Sequence, residues 1–164
     1  MKLLATRTAQ YPLFVEFVAN FNNWVVDSVD GASKTLGSTV ALSTDPAQAG
    51  LTGPAANTIV FDGIKMPPGA VITGGELIVE TAYVGPTAAT VSFGIAGNTT
   101  AYLNAASLLA VGRTAVTLTS PMLENTGVDA RVTLAYTVAN ATAGKFRIRL
   151  QYTVDGRMNE NQAT

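Results

Sequence analysis

The chain contains no cysteine and no histidine. The first absence removes disulfides, thiolate metal sites and thiol nucleophiles together, and leaves the redox compartment open. The second removes the commonest general base and the commonest metal ligand. Most hydrolases and metalloenzymes rely on one or the other, so the expectation is a protein that is not an enzyme and takes no cofactor or metal. Charge is also scarce, at 13% of residues, about half the share of an average soluble domain. Ten Lys and Arg almost cancel eleven Asp and Glu, which leaves no net field to draw the chain onto nucleic acid. The opening MKLLATRTAQ has only a three-residue apolar run, far short of the roughly 7–15 residues of a secretory signal. Nothing approaches the roughly 20 apolar residues of a membrane span. A soluble protein of the cytoplasm, with no nucleic-acid and no membrane partner, is therefore expected.

What the chain does have is 164 residues, 48% of them hydrophobic. That length suits one domain and buries roughly 70% of the surface its unfolded chain exposes. Small neutral residues fill the polar positions, and a surface so poor in charge suits close contact with another protein.

The clearest pattern is KFRIRLQYTVDG, Lys145 to Gly156. Phe146, Ile148, Leu150, Tyr152 and Val154 hold one parity, and Lys145, Arg147, Arg149, Gln151 and Thr153 the other. A period of two is that of a strand with one face in a core. Similar short runs follow one another from Thr58 onward, separated by Pro67-Pro68-Gly69, Gly74-Gly75, Gly85-Pro86 and Asn98-Thr99-Thr100. Leu77, Val79, Thr81 and Tyr83 share one face by this alternation, as do Val91, Phe93 and Ile95, and Val132, Leu134, Tyr136 and Val138. Two further extended segments lie between residues 11 and 30, broken at Asn20 to Asn23. The following stretch rich in Gly, Pro, Ser and Thr reads as a long loop with one short strand candidate at Thr39 to Ser43. AYLNAASLLAVG, Ala101 to Gly112, has Leu103, Ala106, Leu109 and Ala110 near helical spacing, with Gly112 placed to end a helix. The expected fold is all-β: a jelly-roll-like antiparallel β-sandwich with one short helix in a connection and an extended N-terminal segment. Its parts are an N-terminal segment and loop over 1–54, a sandwich over 55–156 and a polar tail over 157–164.

No constellation carries chemistry. Glu76 and Glu80 stand four residues apart on one strand, roughly 13 Å along its axis, whereas a glycosidase pair needs about 5 to 9.5 Å. Gly94 and Gly97 lack the third glycine and the Lys-Ser/Thr of a phosphate loop. Ser107 and Ser120 have no histidine to activate them. Asp27, Asp30, Asp62 and Asp129 sit in turn-like contexts where carboxylates bond local amides. Lys145, Arg147 and Arg149 read either as an outer sheet face with cross-strand compensation by Glu76 and Glu80 or as an Arg-rich interface rim.

The run AANTIVFDGIKMPPGAVITGGELIVETAYVGPTAATVSFGIAGNTTAYLNAASLLAVGRTAVTL, followed by TLAYTVANATAGKFRIRLQYTVDG, resembles the head decoration or cement proteins of tailed bacteriophages over Ala55 to Gly156. The resemblance rests on the order of its pieces. It implies a jelly-roll sandwich that sits on the outer surface of the virion, is made in the host bacterial cytoplasm, and binds the major capsid protein to tie neighbouring subunits together. Lattice symmetry makes a homo-oligomer, dimer or trimer, its natural form. A receptor- or carbohydrate-binding sandwich module of a phage fibre is the alternative of a different class. For either, the expected contact residues are Tyr11, Phe14, Phe17, Phe21 and Trp24, with Lys145, Arg147 and Arg149 as a second surface. The first group holds five of the chain's aromatic residues, which number one Trp, five Tyr and six Phe, and aromatic anchors dominate interface energetics.

Overall fold

A computed structural model describes residues 12–28, 31, 33–37, 58–67, 69–95, 98–118, 124–125, 130–136 and 141–154. The described chain is built of eleven strands, β1 (Leu13–Asn20), β2 (Trp24–Val26), β3 (Ser33–Thr35), β4 (Thr58–Ile64), β5 (Ala70–Val84), β6 (Ala89–Ile95), β7 (Asn98–Ser107), β8 (Gly112–Ala115), β9 (Glu124–Asn125), β10 (Ala130–Tyr136) and β11 (Ala143–Val154). One sheet runs β1-β11-β5-β8, with β9 also pairing β5, and a second runs β4-β10-β6-β7. Every pairing is antiparallel. After the β2-β3 hairpin the chain alternates between the sheets, passing from β4 to β5, back to β6 and β7, and later from β10 to β11.

The two sheets share one core. Phe146, Ile148 and Leu150 of β11 and Leu77 and Val79 of β5 meet Ile59 and Phe61 of β4 and Val91 and Phe93 of β6. The Phe17 and Phe61 rings touch across the layers, centroids 5.7 Å apart. The parity expected for Lys145 to Val154 is the one observed: Phe146, Ile148 and Leu150 are fully buried while Lys145, Arg147 and Arg149 face outward. Burying three such side chains stabilises the sandwich by about 1.5–3 kcal/mol each before entropy is counted.

Three expectations are corrected. Among the described residues there is no helix, and Ala101 to Gly112 is β7, a turn and the start of β8. The helical spacing of Leu103 and Ala106 comes from a bulge, because Phe93 faces Leu103 and Val91 faces Ala106, so three residues of β7 span two of β6. Ala105 takes φ 46° there, and its amide donates to the Ser92 hydroxyl at 2.8 Å. Both flanking apolar residues thus stay buried at a spacing that imitates a helix.

Gly74-Gly75, expected to punctuate a turn, lies inside the fifteen-residue β5. Gln151 pairs with Gly74 but Tyr152 pairs with Ile72, so one residue is inserted in β5, and the inward parity passes from Ala70 and Ile72 to Leu77 and Val79. A Cβ at Gly75 would lie 2.5 Å from the Arg149 carbonyl oxygen, which is why the close approach needs glycine.

Thr81 does not share the face of Leu77 and Val79; it is exposed. Two register shifts between Phe146 and Ala143 insert residues into β5 on either side of it and return Tyr83 to the core. There Tyr83 covers Gly144, whose φ is 151° and whose place a Cβ would share with the Tyr83 ring at 2.5 Å.

Side chains of Val132, Leu134 and Tyr136, together with Val138, the strand candidate at Thr39 to Ser43 and the polar tail, lie outside what is described. The β2-β3 hairpin is tied to the second sheet at Ser28, whose amide and hydroxyl both donate to the Val60 carbonyl at 2.6 and 3.0 Å. Leu36, after β3, is fully buried in the core.

Candidate interaction surfaces

β1 pairs with β11 along its whole length, from Leu13 opposite Tyr152 to Asn20 opposite Lys145. This sets Phe14, Glu16 and Val18 on the outer face beside the cations of β11, while Ile78, Glu76 and Glu80 of β5 flank them on the other side. A charge ladder results. Arg147 spans both neighbours, with Nη1 3.2 Å from Glu16 and Nη2 2.6 Å from Glu80. Lys145 Nζ lies 2.5 Å from Glu80. Arg149 donates from Nε and Nη2 to Glu16 at 3.3 and 3.2 Å. Arg113 of β8 reaches Glu76 at 3.3 Å. Among the described side chains of this ladder, four cations meet three carboxylates, a balance of +1 (4 − 3).

The row of positive charge in β11 is therefore a set of cross-strand pairs. The hydrogen bond from Lys145 holds the Glu80 carboxyl below its ordinary value, and the charge of Arg147 adds to the effect. The hydrogen bond to Glu16 raises Arg147 further above its already high value. Pairing with Glu80 follows from parity; Glu16 does not, because its partners are 131 and 133 residues away along the chain. Its only sequence signal is its outward parity between Phe14 and Val18.

The expected aromatic contact residues divide. Phe14 of β1 and Trp24 of β2 are exposed, at 63% and 64%. Phe17 turns inward onto Phe61 and Phe146, and Phe21 also packs against the core. Tyr11 lies outside the described residues. Val18 and Val26 extend the exposed apolar surface on β1 and β2. An open depression of about 490 Å³ on the outer face of the first sheet is lined by Phe14, Gly75, Glu76, Arg113, Arg149 and Gln151, with Ala115 at its edge. Among the described residues no cluster of acidic side chains could hold a metal ion, and no helix is long and apolar enough to cross a membrane.

No family model matches the chain, and no curated protein matches it. Among solved structures, a chain of the cyanophage Pam1 capsid asymmetric unit is similar in fold, with a TM-score of 0.53 and 16% sequence identity, covering 94% of each chain. The likeness extends over nearly the whole of both molecules, and at that identity it is a likeness of fold.

Proposed function

We propose that this protein is a decoration, or cement, protein of a tailed-phage head, binding the outer capsid surface and stabilising contacts between major capsid subunits. The observation that carries the reading is the likeness in fold, over 94% of both chains, to a chain of a phage capsid asymmetric unit. The strand order supports the finer assignment to a jelly roll. With β2, β3 and β9 set aside, the first, third, sixth and eighth of the remaining eight strands (β1, β5, β8 and β11) form one sheet, and the second, fourth, fifth and seventh (β4, β6, β7 and β10) form the other, as two interleaved Greek keys require.

Folds host many functions, so the surface has to agree as well. It is charge-poor, the cations of β8 and β11 on the first sheet are paired with carboxylates, and exposed apolar side chains occur on β1 and β2 (Phe14, Val18, Trp24, Val26) as well as at Val84, Leu109 and Val111. That surface favours adhesion to protein over steering of a charged ligand. The role is binding without a catalytic step. A protein that binds the mature lattice and not its precursor lowers the free energy of the mature state by mass action at every site. A homo-oligomer matches the symmetric positions such a lattice offers, in the virion after synthesis in the host cytoplasm.

The test is co-sedimentation of the purified protein with heads of the phage that encodes it. Saturable binding to mature heads and none to unexpanded shells is expected. Equal binding to both, or to neither, contradicts the proposal. A fibre module that recognises sugar is favoured by one observation, the exposed Trp24 next to the exposed Asn22 and Asn23. Loss of glycan binding in Trp24→Ala, with head binding intact, would support that second reading.

A further inference from the structure

β1 is an edge strand, and among the described residues no strand pairs with its outer side. Free edges invite pairing, and proteins blunt them by shortness, bulges, charge or cover. The other edges have such devices. β8 is four residues and β9 two, β7 carries two register shifts, and β4 is engaged by Ser28 at Val60. β1 has eight residues in unbroken register with β11; the Asn20 N–H donates to the Asn23 side chain and its carbonyl accepts from the Asn23 amide, so the strand offers a regular edge over Leu13 to Ala19, roughly 24 Å long. Its one charge, Glu16, is already held by Arg147 and Arg149. Phe14 and Val18, on its outer face, are exposed at 63% and 41%.

We infer that the free edge of β1 pairs antiparallel with β1 of a second copy, about a two-fold axis through Glu16. Such an axis stands perpendicular to the sheet, so residues of like parity must face each other. The register centred on Glu16 sets each Phe14 against the Val18 of the other copy, and each Val18 against its Phe14. At the inward parity it sets Val15 against Phe17 and Leu13 against Ala19, apolar throughout. Registers shifted to either side place Glu16 against Phe14, with Val18 facing Pro12, or against Val18, with Phe14 facing Asn20. The two Glu16 carboxylates meet on the axis between four guanidiniums, Arg147 and Arg149 from each copy, which offset their repulsion. Pro12, just before the strand, has no N–H to donate and ends the pairing. The two five-stranded sheets thereby become one continuous sheet across the dimer.

This deepens the homo-oligomer part of the proposed function by naming the surface and the symmetry. The absence of cysteine makes the test direct. Directly opposed residues of an antiparallel pair have Cα atoms about 4.5–5.5 Å apart, within the disulfide range of roughly 4.4–6.8 Å. Full-length E16C in a thiol-disulfide redox buffer is expected to form a covalent dimer. V18C, whose thiols would stand roughly 14 Å apart in this register, is not, whereas the double variant F14C/V18C is. Phe14→Asp in the cysteine-free chain is expected to shift sedimentation from dimer to monomer. Cross-linking of V18C in place of E16C overturns the register and the proposal with it. An oligomer indifferent to Phe14→Asp, with no cross-linking of E16C, puts the interface elsewhere and leaves the homo-oligomer reading standing. A monomer overturns both, while the head-binding experiment judges capsid association separately.

Discussion

At the scale of single residues, the inner face of β11 should lose far more stability on mutation than the outer face. Ile148→Ala or Leu150→Ala removes a fully buried side chain and is expected to destabilise the fold by about 2–5 kcal/mol through the cavity left behind. Arg149→Ala, with a side chain 44% exposed, should cost under about 1 kcal/mol. Urea denaturation of the three variants checks this, and a larger loss from Arg149 would contradict the assigned faces. Gly144→Ala should also be costly, because the new Cβ would collide with the buried Tyr83 ring. Which residues were legible in advance follows from the same geometry. The alternation of Lys145 to Val154 is uninterrupted over the stretch that packs, so it reads directly. Thr81 was misplaced because register shifts moved it off the parity of its neighbours. The parity of Glu16 was legible, yet its partners were not, since β1 finds β11 only when the ends of the chain meet.

Among the elements, β7 shows how a bulge disguises a strand. Sequence spacing alone cannot separate a helical turn from a strand with one inserted residue when the two residues opposite Ser92, Asn104 and Ala105, are exposed and flanked by buried Leu103 and Ala106. The far-ultraviolet circular dichroism spectrum should accordingly show strand with little helix, and helix near a third of the chain would contradict the architecture. A second expectation concerns the ladder across β1, β11 and β5. The Glu80 carboxyl is lowered from 4.5 by the Lys145 hydrogen bond and then by Arg147. A depressed carboxylate stabilises the fold at pH above its unfolded value, and the contribution is lost as pH falls through the folded value. Thermal midpoints should therefore decline below pH 4.5, and Glu80→Gln should flatten part of that decline. A midpoint that rises on acidification would contradict the pairing.

Taken as a whole molecule, the sandwich explains why so little of the chain's chemistry is concentrated anywhere. Among the described residues its interior is apolar apart from the buried Asp27, its outer sheet face carries charges that compensate one another, and four of its exposed apolar residues, Phe14, Val18, Trp24 and Val26, lie on β1 and β2. The all-β class was legible because alternation and turn signals are local. The pairing of the first strand with the last, which places Phe14 and Val18 on an edge strand of the described sheet, was not, because it is set by chain topology. The expected aromatic surface contracts to Phe14 and Trp24 for the same reason: Phe17 and Phe21 have places in the core that only the assembled sheets reveal. The central claim, that the protein cements a phage head, is tested most directly by heating DNA-filled mature heads with and without saturating protein and following DNA release with a dye. The release temperature is expected to rise with occupancy until the sites are full; an unchanged release temperature on fully occupied heads would contradict the account.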